Sequence, residues 1–276
     1  SRRQRQMCIR DSLRPAGHAR RGHRLLETVS AVLLVCAATA RELLSALPGQ
    51  ALGPVPGASC GPAAQAGLPE QELLPLRLGL PALACITGVG PVNAALGMGL
   101  ALAGARQAGH AVSLVLNVGV AGSMDLREAP LCSLWRVEEE VWPEYGLHDG
   151  TAVDGPSFGF PQWEGPHGPV FDRLPLAVPA QLPACLHRLR SLPAATSLSV
   201  AGVSASRQRV EQLRQAHPGA LLENMEGFAV ALACARQGIA CVEVRSVSNR
   251  VGPRAPHETD FPGAMRRLAD IWRPAP

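Results

Sequence analysis

Short Val/Leu-rich runs alternate with longer Ala/Leu-rich runs along the chain from residue 31 onward. The short runs have the length and composition of buried parallel strands, and the longer runs place apolar residues at steps of three and four, as one face of a helix does. The pattern predicts strands at 31–38, 83–87, 112–118, 197–203 and 240–247, and helices at 40–47, 92–108, 207–216, 225–237 and 262–272. This order predicts a single-domain α/β fold, with a mixed, mostly parallel sheet flanked by helices.

Two segments interrupt the alternation. Residues 47–71 are rich in Pro and Gly, which predicts a surface insertion and not a second domain. Residues 141–185 are also rich in Pro and Gly but hold most of the aromatic side chains of the chain. Aromatic residues in loops either line a ligand pocket or, more commonly, cover the edge of a sheet.

The first residues have no periodic apolar pattern, and "RQRQMCIRDS" resembles translated sequencing-adapter sequence. We therefore expect residues 1–28 to be a non-native or disordered extension, and the folded domain to span 29–276. Residues 19–40 imitate a secretory signal that would be cleaved after Ala40. Glu27 interrupts that pattern, however, and "AVLLVCAA" has the character of a buried strand. We expect an uncleaved, cytoplasmic protein.

Charge and composition exclude several classes of function. Residues 1–30 carry eight arginines against one aspartate and one glutamate, so the remainder is slightly acidic although the whole chain has a net charge of +4. This predicts no nucleic-acid partner. The absence of lysine excludes a lysine P-loop and Schiff-base chemistry. The eight cysteines form no C-x-x-C pair and the histidines have no ligand spacing, so we predict reduced cysteines, no metal and no cofactor.

Candidate chemistry lies where predicted strands end, because ligands of open α/β sheets bind beyond the carboxyl ends of the strands. The first strand runs into "ATARE", where Thr39 and Glu42 also match a capping box. The second runs into "TGVGPVNAAL", whose Gly88 and Gly90 allow backbone amides to approach an anion or a water. A dinucleotide fingerprint fails there, because Asn93 occupies its third glycine position.

Two further motifs carry polar groups. In "LLENMEGFAVALAC", Glu223, Asn224 and Glu226 stand at the start of the predicted helix, and Asn224 is an ordinary candidate for its N-cap. In "CVEVRSVSN", Ser248 and Asn249 end the last strand. Asn at that place is usually a turn former, but its amide is also suited to pairing with a purine edge. Capping and turn formation explain each motif when it is taken alone.

Taken together and in order, "AT-x-x-E", "GVG-x-VNAA", "LNVGVAGS", "ENMEG" and "VRSVSN" resemble the nucleoside phosphorylase and nucleosidase superfamily over residues 31 to about 270. Within it the motifs are most similar to those of the futalosine hydrolase family. The 47–71 segment is longer than this resemblance leads us to expect. "VSAS" at 203–206 also lacks the usual Thr-Gly of the base-binding loop.

The resemblance implies hydrolysis of the N-glycosidic bond of futalosine, with release of hypoxanthine, in menaquinone biosynthesis. It assigns Glu42 as the general base, Glu226 and Met225 to the ribose, Ser248 and Asn249 to the purine, and the turn from Gly88 to Gly90 to the attacking water. The expected partners are a nucleoside and water, with no membrane partner, and the protein is expected to be a homo-oligomer. The alternatives are another purine nucleosidase or a phosphorylase of the methylthioadenosine or inosine type, a non-catalytic purine-nucleoside binding protein, and an inactive fragment.

Overall fold

The computed structural model describes residues 31–49, 51–52, 68–70, 72–150 and 152–274. The strands are β1 (Ala31–Ala37), β2 (Leu74–Arg77), β3 (Pro81–Ile86), β4 (Ala111–Ser123), β5 (Leu134–Val141), β6 (Leu147–His148), β7 (Val153–Asp154), β8 (Trp163–Gly165), β9 (Gly168–Val170), β10 (Arg173–Pro175), β11 (Ala194–Ser199), β12 (Ala220–Asn224) and β13 (Ala240–Arg250). The α-helices are α1 (Ala40–Ala46), α2 (Pro91–Gln107), α3 (Gly155–Phe158), α4 (Arg207–Ala216), α5 (Gly227–Arg236) and α6 (Phe261–Leu268). Short 3₁₀ helices cover Ala184–Arg190, Pro256–Glu258 and Ala269–Trp272.

The main sheet is mixed and mostly parallel, as the sequence predicts. The strand β1 lies inside it and pairs in parallel with β3 and with β4. The strand β4 also pairs with β12 and β13, β13 pairs with β5, and β5 reaches β12 through β11. Five strands therefore form a closed circuit, in the order β4, β13, β5, β11 and β12, instead of an open sheet.

The predicted elements are present, with shifted ends. The predicted strands 112–118 and 240–247 extend to Ser123 and Arg250, and the strand predicted at 197–203 lies at Ala194–Ser199. The helix predicted at 262–272 is α6 followed by a 3₁₀ turn. The apolar pattern missed β5 and β12, because polar side chains that face the inside of the closed circuit interrupt both strands.

The prediction that Asn224 is the N-cap of a helix at 225–237 is wrong. Asn224 is the last residue of β12, Glu226 occupies the N-cap position, and α5 begins at Gly227. The side chain of Asn224 still serves the helix start, because its Oδ1 accepts hydrogen bonds from the backbone N–H groups of Glu226 and Gly227. A strand and a tight turn thus precede the helix where the sequence suggested one continuous segment.

The segment 141–185 adds the strand β10 to the main sheet, beside β5, and packs against α5. The Trp142 ring lies 5.8 Å from that of Phe228 in α5 and 5.7 Å from that of Tyr145. Most of the predicted 47–71 insertion, and the predicted 1–28 extension, lie outside the described residues. Leu52, within the insertion, forms a β-bridge with Leu76.

The six cysteines within the described ranges are free thiols, and four of them are buried. No helix of the described part of the chain combines the length and the apolar character needed to cross a bilayer.

Candidate active site

A cleft of about 290 Å³ opens where β1, β12 and β13 end. It brings together five of the seven residues that the sequence singled out, namely Glu42, Met225, Glu226, Ser248 and Asn249. Gly88 and Gly90 do not line the cleft, but Val89 between them does. The other lining residues, to which the sequence analysis assigned no role in binding or catalysis, are Ala38, Thr39, Val120, Ala121, Gly122, Val203, Ser204, Ala205, Glu223, Asn224, Gly252, Arg254, Phe261 and Met265.

Glu42 lies at the start of α1, and its side chain is only 6% exposed. The predicted capping box is present, because Thr39 Oγ1 accepts from the Glu42 N–H and Glu42 Oε2 accepts from the Thr39 N–H at 3.1 Å. Oε2 also accepts from Thr39 Oγ1 at 2.8 Å, while Oε1 accepts from the backbone N–H of Val120 at 3.1 Å. Both carboxylate oxygens are therefore held in place at the edge of the cleft.

Glu226 also lines the cleft, and the glycine turn holds its carboxylate. Its Oε1 accepts from the backbone N–H of Gly90 at 2.9 Å, and the Gly88 N–H donates to the carbonyl of Ala38. Both glycines have a positive φ, 86° and 88°, which favours glycine at these positions. The N–H groups of Gly88 and Gly90 were expected to approach a water, but in the structure both bind protein acceptors. The turn therefore orients Glu226.

Arg245 is a buried cation that the sequence reasoning missed. Its Nε donates to Glu243 Oε1 at 2.7 Å, and its Nη1 lies 3.9 Å from Glu226 Oε2. A Cβ on Gly119 would overlap Nη1 and lie 2.9 Å from Glu42 Oε1, so the guanidinium reaches the floor of the cleft between the two carboxylates. The alternation of Glu243 and Arg245 within a buried strand is the sequence signal that could have found it.

These neighbours set the ionisation of the Glu226 carboxyl. Burial raises the pKa of Glu226 above its ordinary value of 4.5, while Arg245 and the Gly90 N–H oppose that shift. Burial alone would lower the pKa of Arg245, but Glu243 and Glu226 outweigh it and raise that pKa, so the guanidinium stays charged. A permanent cation therefore underlies the cleft.

Ser248 and Asn249 lie within the last three residues of β13, which continues to Arg250, and Asn249 pairs with Gly122 of β4. Ser248 Oγ donates to Asn249 Oδ1 at 2.8 Å, and Asn249 Nδ2 donates to the carbonyl of Arg250, also at 2.8 Å. The amide is thus oriented on both sides, although Asn249 lies within the strand and not in the turn that the sequence suggested. One amide hydrogen and one lone pair of Oδ1 are left for a ligand.

Glu223 holds the loop that departs from the expected base-binding sequence. Its two oxygens accept from the backbone N–H of Ser204 at 3.0 Å and from Ser204 Oγ at 2.5 Å. Since Val203 and Ser204 both line the cleft, this pair fixes one wall of it. Burial raises the pKa of Glu223.

Three carboxylates line the cleft, those of Glu42, Glu223 and Glu226. Since Glu223 is bound to Ser204, the carboxylates of Glu42 and Glu226 and the amide of Asn249 are left to act on a ligand. Such a site can activate a water with one carboxylate, hold hydroxyl groups with the other and hydrogen-bond a heterocycle with the amide.

The chain is similar to known proteins in sequence and in fold. The family model of the phosphorylase superfamily matches residues 74–270. Futalosine hydrolase of Streptomyces coelicolor is 32% identical over 200 residues, covering 68% of this chain and 79% of that protein. Futalosine hydrolase of Thermus thermophilus is 38% identical over 172 residues, covering 61% and 69%. The 5'-methylthioadenosine/S-adenosylhomocysteine nucleosidase of Colwellia psychrerythraea, solved in complex with adenine, superposes with a TM-score of 0.60 at 19% identity, covering 88% of this chain and 91% of that one.

Proposed function

Since this chain belongs to the phosphorylase superfamily and is a purine nucleosidase within it, we propose that it hydrolyses the N-glycosidic bond of futalosine and releases hypoxanthine. Support for this substrate comes from the two futalosine hydrolase relatives and from Asn249, a neutral amide at the proposed purine position. The resemblance also implies that the sugar product serves menaquinone biosynthesis.

The observation that carries the proposal is the convergence of Glu42, Glu226 and Asn249 on one cleft. Cleavage of a ribosyl–base bond passes through an oxocarbenium-like state, which needs an activated water, a hold on the sugar and a donor for the departing base. Glu42 is the proposed general base. Its three hydrogen bonds from Thr39 and Val120 fix both oxygens, and the remaining lone pairs are free to receive a proton from water.

Glu226 and Met225 are proposed to hold the ribose. An ionised carboxylate accepts hydrogen bonds from two neighbouring hydroxyl groups, and the Gly90 N–H and Arg245 both favour that ionised form. Met225 lines the same cleft and offers an apolar contact for the face of the sugar.

Asn249 is proposed to bind the purine, with Ser248 orienting it. The bond from Ser248 Oγ and the bond to the Arg250 carbonyl leave one N–H of the amide for the base. A neutral donor suits a 6-oxopurine, because the amide can donate to a ring nitrogen or to O6 and accept from N1–H. This contact would stabilise the departing ring.

The proposal of hydrolysis over phosphorolysis rests on the cations near the site. Among the described residues that line the cleft, Arg254 is the one cationic side chain. Arg245 lies beneath the cleft, and its guanidinium is already paired with the carboxylates of Glu243 and Glu226. A phosphate ion would need a more exposed set of donors.

The test is incubation of the full chain with futalosine, inosine and methylthioadenosine, each with and without phosphate, followed by chromatography of the free bases. We expect hypoxanthine from futalosine at the same rate in both conditions. A requirement for phosphate would make the protein a phosphorylase, and adenine released from methylthioadenosine in preference would make it a nucleosidase of that type. Nucleoside binding without turnover would favour the non-catalytic alternative.

We further propose that the protein is a homo-oligomer. The exposed large apolar side chains Val89, Val92, Leu96 and Leu100 lie in and just before α2 at steps of three and four, and so share one face. Such a face supports association between protein surfaces. A cytoplasmic location is proposed because cleavage after Ala40 would remove β1, which pairs on both sides.

A further inference from the structure

Each of the five strands in the closed circuit contributes a polar side chain to its interior. These side chains are almost fully buried, and they are Asn117 of β4, Glu140 of β5, Ser197 and Ser199 of β11, Asn224 of β12, and Glu243 and Arg245 of β13. Burying ionisable groups costs several kcal/mol for each ion unless they are well paired, and apolar side chains of similar size often give equal or higher stability. Stability alone therefore does not account for this polar centre.

Asn224 connects the polar centre to the cleft. Its Oδ1 accepts from the backbone N–H groups of Glu226 at 2.8 Å and of Gly227 at 2.7 Å. Its Nδ2 donates to Glu140 Oε1 and to Ser197 Oγ, each at 2.7 Å. Because the two backbone groups are donors only, the oxygen of the amide must face the helix start and its nitrogen must face Glu140.

Glu140 fixes the other end of this connection. Its Oε2 accepts from Ser199 Oγ at 2.7 Å while Oε1 accepts from Asn224. A Cβ on Gly227 would overlap Glu140 Oε1 and lie 2.6 Å from Glu243 Oε1, so α5 begins directly on these two carboxyl groups. Burial, together with the neighbouring Glu243, raises the pKa of Glu140 well above its ordinary range.

We propose that Glu140 and Asn224 are positioning residues for Glu226. The hydrogen bond from Asn224 to Glu140 orients the amide, the amide holds the N–H groups of Glu226 and Gly227, and the turn so fixed presents the Glu226 carboxylate to the Gly90 N–H and to the cleft. The catalytic consequence of this arrangement rests on the proposed function. The positioning itself does not.

Glu140→Leu and Glu140→Gln form the test pair. Leucine has a similar size but no acceptor, whereas the glutamine oxygen can still accept from Asn224 Nδ2. Removing Glu140 alone leaves Ser199 Oγ and one donor bond of Asn224 Nδ2 without their acceptor, so we expect E140L to melt lower than the wild type and E140Q to melt close to it. A general loss of stability would raise amide exchange throughout the protein, so a change confined to the surroundings of Glu226 and reversed in E140Q separates positioning from a merely structural role.

The first readout is hydrogen exchange of the Gly90 amide, which donates to Glu226. We expect E140L to increase its exchange rate at least about tenfold, and E140Q to recover most of that loss. The Val120 amide is the internal control, because it donates to Glu42 and not to Glu226, and its exchange should change little. The second readout is kcat/KM on futalosine, which should fall at least about tenfold in E140L and recover in E140Q.

Unchanged Gly90 exchange in E140L would overturn the proposal, and so would an E140Q variant as impaired as E140L. If the wild type releases no base from futalosine, the proposed function fails, while Gly90 exchange still decides the positioning. If E140L does not fold, Asn224→Ser takes its place, since the single oxygen of the shorter serine side chain cannot lie both at the Oδ1 position beside the two N–H groups and at the Nδ2 position beside Glu140. A protected Gly90 amide in N224S would equally overturn the proposal.

Discussion

Glu42→Gln separates the two roles that the structure allows for Glu42. Three donors face its carboxylate, the N–H and Oγ1–H groups of Thr39 and the N–H of Val120. A glutamine supplies one acceptor oxygen and an NH₂ group, so one of the two backbone N–H groups must face a donor. Leaving a buried backbone group without a partner costs about 1–3 kcal/mol.

For a domain of this size, that cost corresponds to a fall in Tm of roughly 2–12 °C. Removal of a general base lowers turnover by about 10²-fold or more. We therefore expect E42Q to remain folded at assay temperature, to melt lower and to lose at least about 10²-fold in kcat on futalosine. Calorimetry measures the change in Tm, and single-turnover kinetics measure the change in turnover.

Asp154→Ala is the matched control for destabilisation. Asp154 is the N-cap of α3, where it accepts from the Ser157 N–H at 3.1 Å, and it is exposed and does not line the cleft. Its loss costs about 1 kcal/mol, and we expect no change in turnover. An E42Q variant that melts lower yet keeps wild-type turnover would leave Glu42 with the capping role alone.

Three other substitutions test the remaining assignments. Asn249→Asp removes the neutral donor. We therefore expect the kcat/KM for futalosine, divided by that for an adenosine analogue, to fall roughly ten- to a hundredfold. An unchanged ratio would leave Asn249 without a role in base selection. Because burial raises the pKa of Glu226 above 4.5, its carboxyl takes up a proton at a higher pH than a free Glu. We therefore expect kcat/KM to fall on the acidic side of the pH profile, with a midpoint above 4.5. The E226Q variant should move this acidic limb to lower pH. An unmoved limb would assign the titration to another group. On the exposed face of α2, Leu96→Glu should reduce the sedimentation coefficient of the oligomer at micromolar concentration, whereas Gln107→Glu at the end of the same helix should not. Equal sedimentation of L96E and the wild type would contradict an interface on this face of α2, and sedimentation of the wild type as a monomer would contradict the proposed homo-oligomer.

Features that depend on neighbouring residues could be predicted from the sequence. Alternating apolar runs located β1, β13 and α2 closely, because strand and helix periodicity are local properties. The Thr39–Glu42 capping box is likewise a contact between residues three apart, and the structure contains it. The motifs also located most of the cleft residues, since the ends of buried strands are where a sheet of this kind exposes polar groups.

How those motifs meet depends on contacts between residues far apart in the chain, which the sequence pattern does not show. The Gly90 N–H binds Glu226 across 136 positions, and Asn224 binds Glu140 across 84. The polar residues of β5 and β12 are compatible with burial only because the strands close into a circuit and supply partners from one another, and no local pattern encodes that closure. For the same reason Asn224 looked like a helix cap: its acceptor groups were visible in the sequence, while the strand pairing that places it at the end of β12 was not.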